Sequence, residues 1–391
     1  MARPNLLWQD LDADILSEIA GHLPCMVDRV SMSLAWRRVI PPPLHQRQRL
    51  LPVISDLYCV VHGETHRLRV AGDTGGARFF GAYEGGWLFL ALQHHRGHEI
   101  ENIHNGRRIL VPDSVTWVRV EVGEEEPSGA AYRDPEAGPM VIFAAALSSS
   151  PVGSDAPCVA AAIIQSADTS HFPLMPQIAF WLVEDGAERH QIAAARAHQG
   201  GFFHFLTSGE NLISIRQEQA MAMGTLQEIF HLFQPREPVE CGENEVLAGR
   251  YLVESRGELL LVVRCSVVQS TFGHGQASRF LVFQITRHLQ QQRRQVATGG
   301  KVEILTWTLL PGLNGRMIFL AHGCSRSYDV ADFPGCEEGV YYLDDTRSLS
   351  PTFRSYLCSD NGMCPGNGDS IRRLFQYRAA SANSSPVWFL A

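Results

Sequence analysis

Apolar positions near the amino end follow a helical period, and those after residue 50 follow a strand period. Between Trp8 and Pro24, the side chains of Leu11, Ile15 with Leu16, Ile19 and Leu23 fall on one face of a short helix. Asp10 is placed to cap its start, and Asp12, Asp14 and Glu18 set negative charge near its positive end. Leu23-Pro24 stops it. The pattern predicts a second helix with Val27, Val30 and Leu34 on one face and Met32, Trp36 and Val39 on another, before Pro41-Pro42-Pro43 ends it. Two helices this short have too little interior to bury both faces. The surplus face needs a cover, which is either another protein or the chain's own C-terminal body.

Beyond Pro52 the helical period gives way to short β-type runs separated by Gly, Asp, Asn and Pro. Among them are Trp87–Leu92, Val115–Val120, Val159–Ile164, Ile178–Val183, Phe202–Leu206, Leu212–Ile215, Leu259–Val263, Phe280–Ile285, Ile304–Leu309, Met317–Ala321 and Val340–Leu343. Two pairs are separated by tight turns, Ser208-Gly209-Glu210-Asn211 and Arg256-Gly257-Glu258, and read as hairpins in which glycine supplies the positive φ. The two glycines stand 48 residues apart, a spacing that suits one propeller blade or two hairpins. So many strands with so few helices favour radial closure, because an open array would leave edges exposed. The expected fold is mainly β with a small α N-terminal module: helices over 5–45, a linker over 46–52 and a β-propeller over 53–391. Stacked sandwiches are the alternative.

Charge narrows the partners. The chain of 391 residues has a net charge of −8 and is 45% hydrophobic, as an ordinary globular protein is. An acidic body argues against nonspecific nucleic-acid binding, which neutralises phosphates with Lys and Arg. No apolar run reaches the ~20 residues that span a bilayer, and the start is no signal sequence, so neither membrane nor secretion is expected. Nine cysteines, never in a Cys-x-x-Cys pair, point to free thiols in a reducing compartment, cytoplasmic or nuclear. Lys301 is the single lysine. Arginine offers no primary amine for conjugation, which leaves the chain few acceptor sites; arginine-codon bias explains the count equally well.

Candidate chemistry is thin. His94, His95 and His98, with His104 beyond, are the densest histidine group, but no carboxylate sits between them in a His-Glu-x-x-His arrangement and their flanks read as loop. Cys358 and Cys364 have no second pair at zinc-ligand spacing. Gly72-Asp73-Thr74-Gly75-Gly76 lacks the lysine of a phosphate loop and reads as a surface turn. Gly323-Cys324-Ser325-Arg326-Ser327 has Ser327 where a nucleophile elbow has glycine, and His274 has no nucleophile placed beside it by sequence. Glu124-Glu125-Glu126 and Gln290-Gln291-Gln292-Arg293-Arg294 read as solvated loops. No metal or cofactor is expected, and no catalysis.

Trp8, Leu11, Asp14-Ile15, Ile19, Leu23-Pro24, Asp28-Arg29-Val30, Leu34 and Arg37 together resemble the F-box, the helical module that docks on a Skp1-type adaptor in cullin-RING ubiquitin ligases. The chain departs from that pattern at Asp12, where the family usually has proline, and at Trp36 and Val39, where it tends to have cysteine and tryptophan. The remainder resembles the KIB-type β-propeller that follows the F-box in a large plant family. The matching stretches include Phe80–Leu88, Asn105–Pro112, Ala146–Pro151, Ile178–Trp181, Gly249–Ser255, Gly257–Val262, Val340–Asp345 and Val387–Phe389. The resemblance implies a non-catalytic substrate receptor of a Skp1–cullin–F-box ligase, with an unknown target protein held by the propeller. It also implies that Leu11, Ile15, Ile19, Leu23, Pro24, Val30, Leu34, Trp36 and Val39 meet the adaptor or pack between the helices. The departures motivate a second reading, a protein- or ligand-binding scaffold that no longer recruits the ligase. An enzyme using the propeller funnel is a third reading, with no motif in its favour.

Overall fold

Alternation of apolar and polar residues between glycine-bearing turns produces antiparallel ladders, and these make up nearly all of the regular structure in the computed structural model of the chain. It describes residues between 52 and 388. Residues 1–51 and 389–391 lie outside, as do 59–64, 72–76, 93–96, 118–135, 152–157, 167–176, 184–190, 193–201, 217–227, 235–241, 268–275, 292–300, 344–359, 367–369, 375–386 and a few single positions or pairs. Strands β1 (Pro52–Tyr58) and β2 (Thr65–Ala71) pair with each other. A four-stranded meander follows: β3 (Arg78–Tyr83), β4 (Trp87–Ala91), β5 (His98–Asn102) and β6 (Arg108–Val111). Next come five strands in chain order: β7 (Ser114–Trp117), β8 (Glu136–Leu147), β9 (Cys158–Ser166), β10 (Gln177–Val183) and β11 (Gln191–Ile192). The fourth sheet has three strands: β12 (Phe202–Leu206), β13 (Leu212–Arg216) and β14 (Glu228–His231).

The last sheet has eight strands in two groups. The first is β15 (Glu245–Ser255), β16 (Glu258–Val267), β17 (Gln276–Gln291) and β18 (Lys301–Leu309). The second is β19 (Arg316–Phe319), β20 (Arg326–Asp329), β21 (Gly339–Tyr342) and β22 (Gly362–Pro365). One parallel bridge, Glu254 to Arg326, joins them.

Side chains alternate between the two faces of a strand, so each sheet can serve two neighbours at once. On β9 and β10, Ala160, Ala162, Ile164 and Trp181 pack with Phe80, Phe89 and Ile100 of the first meander. Val159, Ala161 and Phe180 face the other way, onto Phe203 and Ile215, with the Phe180 and Phe203 rings 5.0 Å apart. Strand β16 divides in the same manner. Leu261 and Val263 join Leu212 and Phe233, while Leu260 and Val262 join Ile318, Leu320 and Val340. Its run Leu260–Val263 is apolar without interruption because both faces are covered.

The succession curls back on itself. Ala321 and Cys324, just after β19, belong to the same core as Phe80 and Ala145, and the Cys324 thiol lies 3.9 Å from the Phe80 carbonyl. Trp388 packs on that core and on Phe319 as well, and its indole N–H donates to the Leu320 carbonyl at 2.8 Å. The result is propeller-like, not a stack of sandwiches. A buried polar contact ties the two groups of the last sheet. Asp360 accepts from Arg264 at 2.5 Å, from the Ala277 amide at 2.7 Å and from the Tyr342 hydroxyl at 3.2 Å. Burial, and then the Asp360 carboxylate, push the Tyr342 hydroxyl well above its ordinary pKa, so it stays a donor.

Three expectations change. Gln290 and Gln291, read as loop, extend β17, where they pair with Val302 and Lys301; the ladder set at Phe283–Leu309 continues because backbone bonding outweighs local polarity. His98, read in a loop, begins β5. In the turn after β12 the positive φ is carried by Glu210 at 63°. In the turn after β15 it falls on Arg256 and Gly257, at 54° and 77°.

Candidate functional site

Strands β8, β9, β12 and β15, with the turn after β19, line one cavity of about 170 Å³. One wall is built of methyl groups, from Ala144, Ala145 and Ala146 of β8 and Ala161 and Ala162 of β9. That wall is held tightly from behind. The Tyr83 hydroxyl donates to the Ala145 carbonyl at 2.6 Å, and Gly323, with φ of 83°, lies so close that a Cβ there would stand 2.5 Å from the same oxygen. Polar groups join that lining from elsewhere, His204 of β12, Arg250 and Tyr251 of β15 and Ser325 after β19, interleaved with Phe205, Leu206 and Leu252.

Each polar group has a defined role. Arg250 donates through Nε to Glu210 Oε1 at 2.7 Å. Glu210 is itself anchored, since its carbonyl accepts from the Trp307 indole at 2.8 Å and that indole stacks on Phe233 with centroids 4.6 Å apart. These contacts hold Glu210 in a left-handed conformation that costs a non-glycine residue roughly 1–2 kcal/mol. The His204 Nδ1 and the Ser214 hydroxyl share a hydrogen bond of 2.7 Å. Ser325 donates to the Ala321 carbonyl at 2.7 Å and accepts from its amide at 3.0 Å, so its hydroxyl closes a turn. The cavity thus offers an anchored cation, an imidazole and an apolar wall.

The residues expected to hold an adaptor, Leu11, Ile15, Ile19, Leu23, Pro24, Val30, Leu34, Trp36 and Val39, lie outside the described residues, as do Asp12 and linker residues 46–51, whereas Pro52, expected in the linker, opens β1. His94, His95, His104, His274, the glycine turn 72–76 and Glu124–Glu126 are outside as well. His98 is a core residue, 8% exposed with its ring 6.2 Å from that of Phe80. Among the described residues no three His, Cys, Asp or Glu side chains group as metal ligands. Sequence reading passed over Arg250, His204 and Glu210. The one available signal was the charge of Arg250 directly ahead of the run Tyr251-Leu252-Val253.

A family model described as KIB1-4 beta-propeller matches residues 54–366, from β1 to the turn after β22. No curated protein and no solved structure matches the chain.

Proposed function

The chain belongs to the KIB1-4 beta-propeller family, and from that premise we propose that it is the substrate-recognition subunit of a Skp1–cullin–F-box ubiquitin ligase. The observation that carries this reading is the order of parts: the F-box-like stripe Leu11, Ile15, Ile19, Leu23 stands directly ahead of a propeller of this family. In this role the protein does no chemistry itself. Its N-terminal helices bury their surplus apolar face on a Skp1-type adaptor, and the propeller holds a target protein beside the ubiquitin-charged enzyme. Holding two reactants together raises their effective concentration, which is the whole catalytic contribution of such a receptor. The cytoplasm or nucleus is the compartment that fits, and the described cysteines, Cys158, Cys265, Cys324, Cys336 and Cys364, are free thiols as a reducing compartment requires.

Co-purification with the adaptor tests the reading. Leu11→Asp or Ile15→Asp places a charge in the expected contact and should abolish capture while melting of the β-rich body is unchanged. Undiminished capture by both variants would overturn it. Asp12, Trp36 and Val39 favour a second reading, in which the protein is a binding scaffold outside the ligase; absence of adaptor binding by the unaltered chain would select it.

A further inference from the structure

Strand β15 runs from an exposed apolar patch to the cavity wall. Near its start Val246 and Leu247 are 46% and 38% exposed. Val267, on the adjoining end of β16, is 37% exposed and pairs with Glu245. In that register Leu247 and Val267 fall on the same face of the ladder and Val246 on the other, so two exposed apolar side chains lie together at this strand end, as they do at protein contact sites. Roughly 10–13 Å further along the strand, Arg250 lines the cavity. Glu210 holds its guanidinium through Nε, which leaves the two Nη groups without a hydrogen-bond partner among the described residues. A guanidinium fork matches the two oxygens of a carboxylate or phosphate. The alanine wall, Ala144–Ala146 with Ala161 and Ala162, brings no carboxylate to compete. The volume of about 170 Å³ is below the ~300 Å³ at which drug-sized sites begin and suits one side chain.

We infer that the cavity receives one anionic side chain, carboxylate or phosphorylated, from an extended segment of a target protein, whose apolar neighbours rest on Leu247 and Val267. The inference rests on the receptor reading and names the chemistry of its target. Glu210 balances the Arg250 charge, so selection comes from the fork geometry and from burial of the stem against the alanine wall. A carboxylate and a phosphate both fit that description, and the test separates them.

The test uses the full chain with inorganic phosphate and with acetate as probes, at fixed ionic strength. The His204 ring resonance, assigned with a His204→Gln variant, should shift saturably at millimolar probe. Overhauser contacts from the acetate methyl to the methyls of Ala145 and Ala146 should place the site without any substitution. Saturation by phosphate alone marks a phosphorylated target; saturation by acetate, with or without phosphate, marks an Asp- or Glu-bearing one. Arg250→Gln should abolish the shift, and Arg250→Lys, which keeps the ion pair with Glu210 but loses the fork, should weaken binding ~10-fold. Arg279→Gln, whose arginine pairs with Glu245, should bind normally. No saturable shift in the unaltered protein, contacts that place the probe elsewhere, or undiminished binding by a folded Arg250 variant would each overturn the proposal. Adaptor capture is measured on the same samples; intact capture without anion binding defeats the cavity proposal and leaves the receptor reading standing.

Discussion

Glu101 sits on β5 with no solvent exposure, opposite Leu88 of β4 and Arg108 of β6. Arg108 approaches Glu101 at 3.6 Å and Glu99 at 3.8 Å, close enough for attraction. Burial outweighs it. Loss of water, moderated by Arg108 and reinforced by the neighbouring Glu99, raises the Glu101 carboxyl from an ordinary 4.5 to about 7. Glu99 is raised as well, again by burial first. The folded state therefore holds a proton at Glu101 that the unfolded chain has released between about pH 4.5 and 7. Stability from this site is full below pH 4.5 and is lost as pH rises through 7. Glu101→Gln should remove about 2 kcal/mol of the decline between pH 5 and pH 8, read from urea midpoints of both proteins at both pH values. Parallel pH curves for variant and parent would refute this. The same residue shows what a sequence can and cannot reveal. Its period-2 place on a strand is visible in the chain, but a charged residue on an alternating strand reads as solvent-facing until the covering neighbour is known.

Turns and strands differ in how locally they are specified. The hairpin of β15 and β16 is legible because Arg256-Gly257 and the apolar runs on either side sit within a few residues of each other. The far end of β17 is not, because Gln290 and Gln291 gain their strand state from β18 rather than from their own polarity. The turn between β19 and β20 depends on still more distant partners. Gly323 needs both its positive φ and its lack of a side chain, since Ala145 of β8 occupies the space a Cβ would take. Gly323→Ala should cost about 2–4 kcal/mol and loosen the alanine wall with it. Gly312→Ala, where a Cβ would meet nothing within 4 Å, is the control and should change stability by less than about 0.5 kcal/mol. Chemical denaturation of the two variants side by side decides, and equal losses would show that the Gly323 turn has room to move.

Ring closure rests on contacts between segments remote in sequence, and this is where sequence reading reaches its limit. Ala145, His204, Arg250 and Gly323 line one cavity although scores of residues separate most of them. No local pattern announces that they meet. Closed architecture itself could be expected from the number of strands and the lack of helices, without knowing which residues form the seam. Trp388 is part of that seam, packed on Phe319 with ring centroids 5.1 Å apart and bonded to Leu320. Trp388→Ala should lower stability by about 2 kcal/mol, less than a fully buried tryptophan would. The loss should appear in hydrogen exchange first at the amides of Phe80 and Phe319, on either side of the join, while β16 stays protected. Uniform loosening of every sheet would instead show that Trp388 supports the body generally. One outcome concerns biosynthesis. A ribosome adding about 5–20 residues per second needs on the order of 15–60 s to travel from Phe80 to Trp388, so the earliest strands wait, half-dressed and greasy, for their last neighbour. Nascent chains should therefore be clients of folding helpers until the final indole emerges and zips the circle shut.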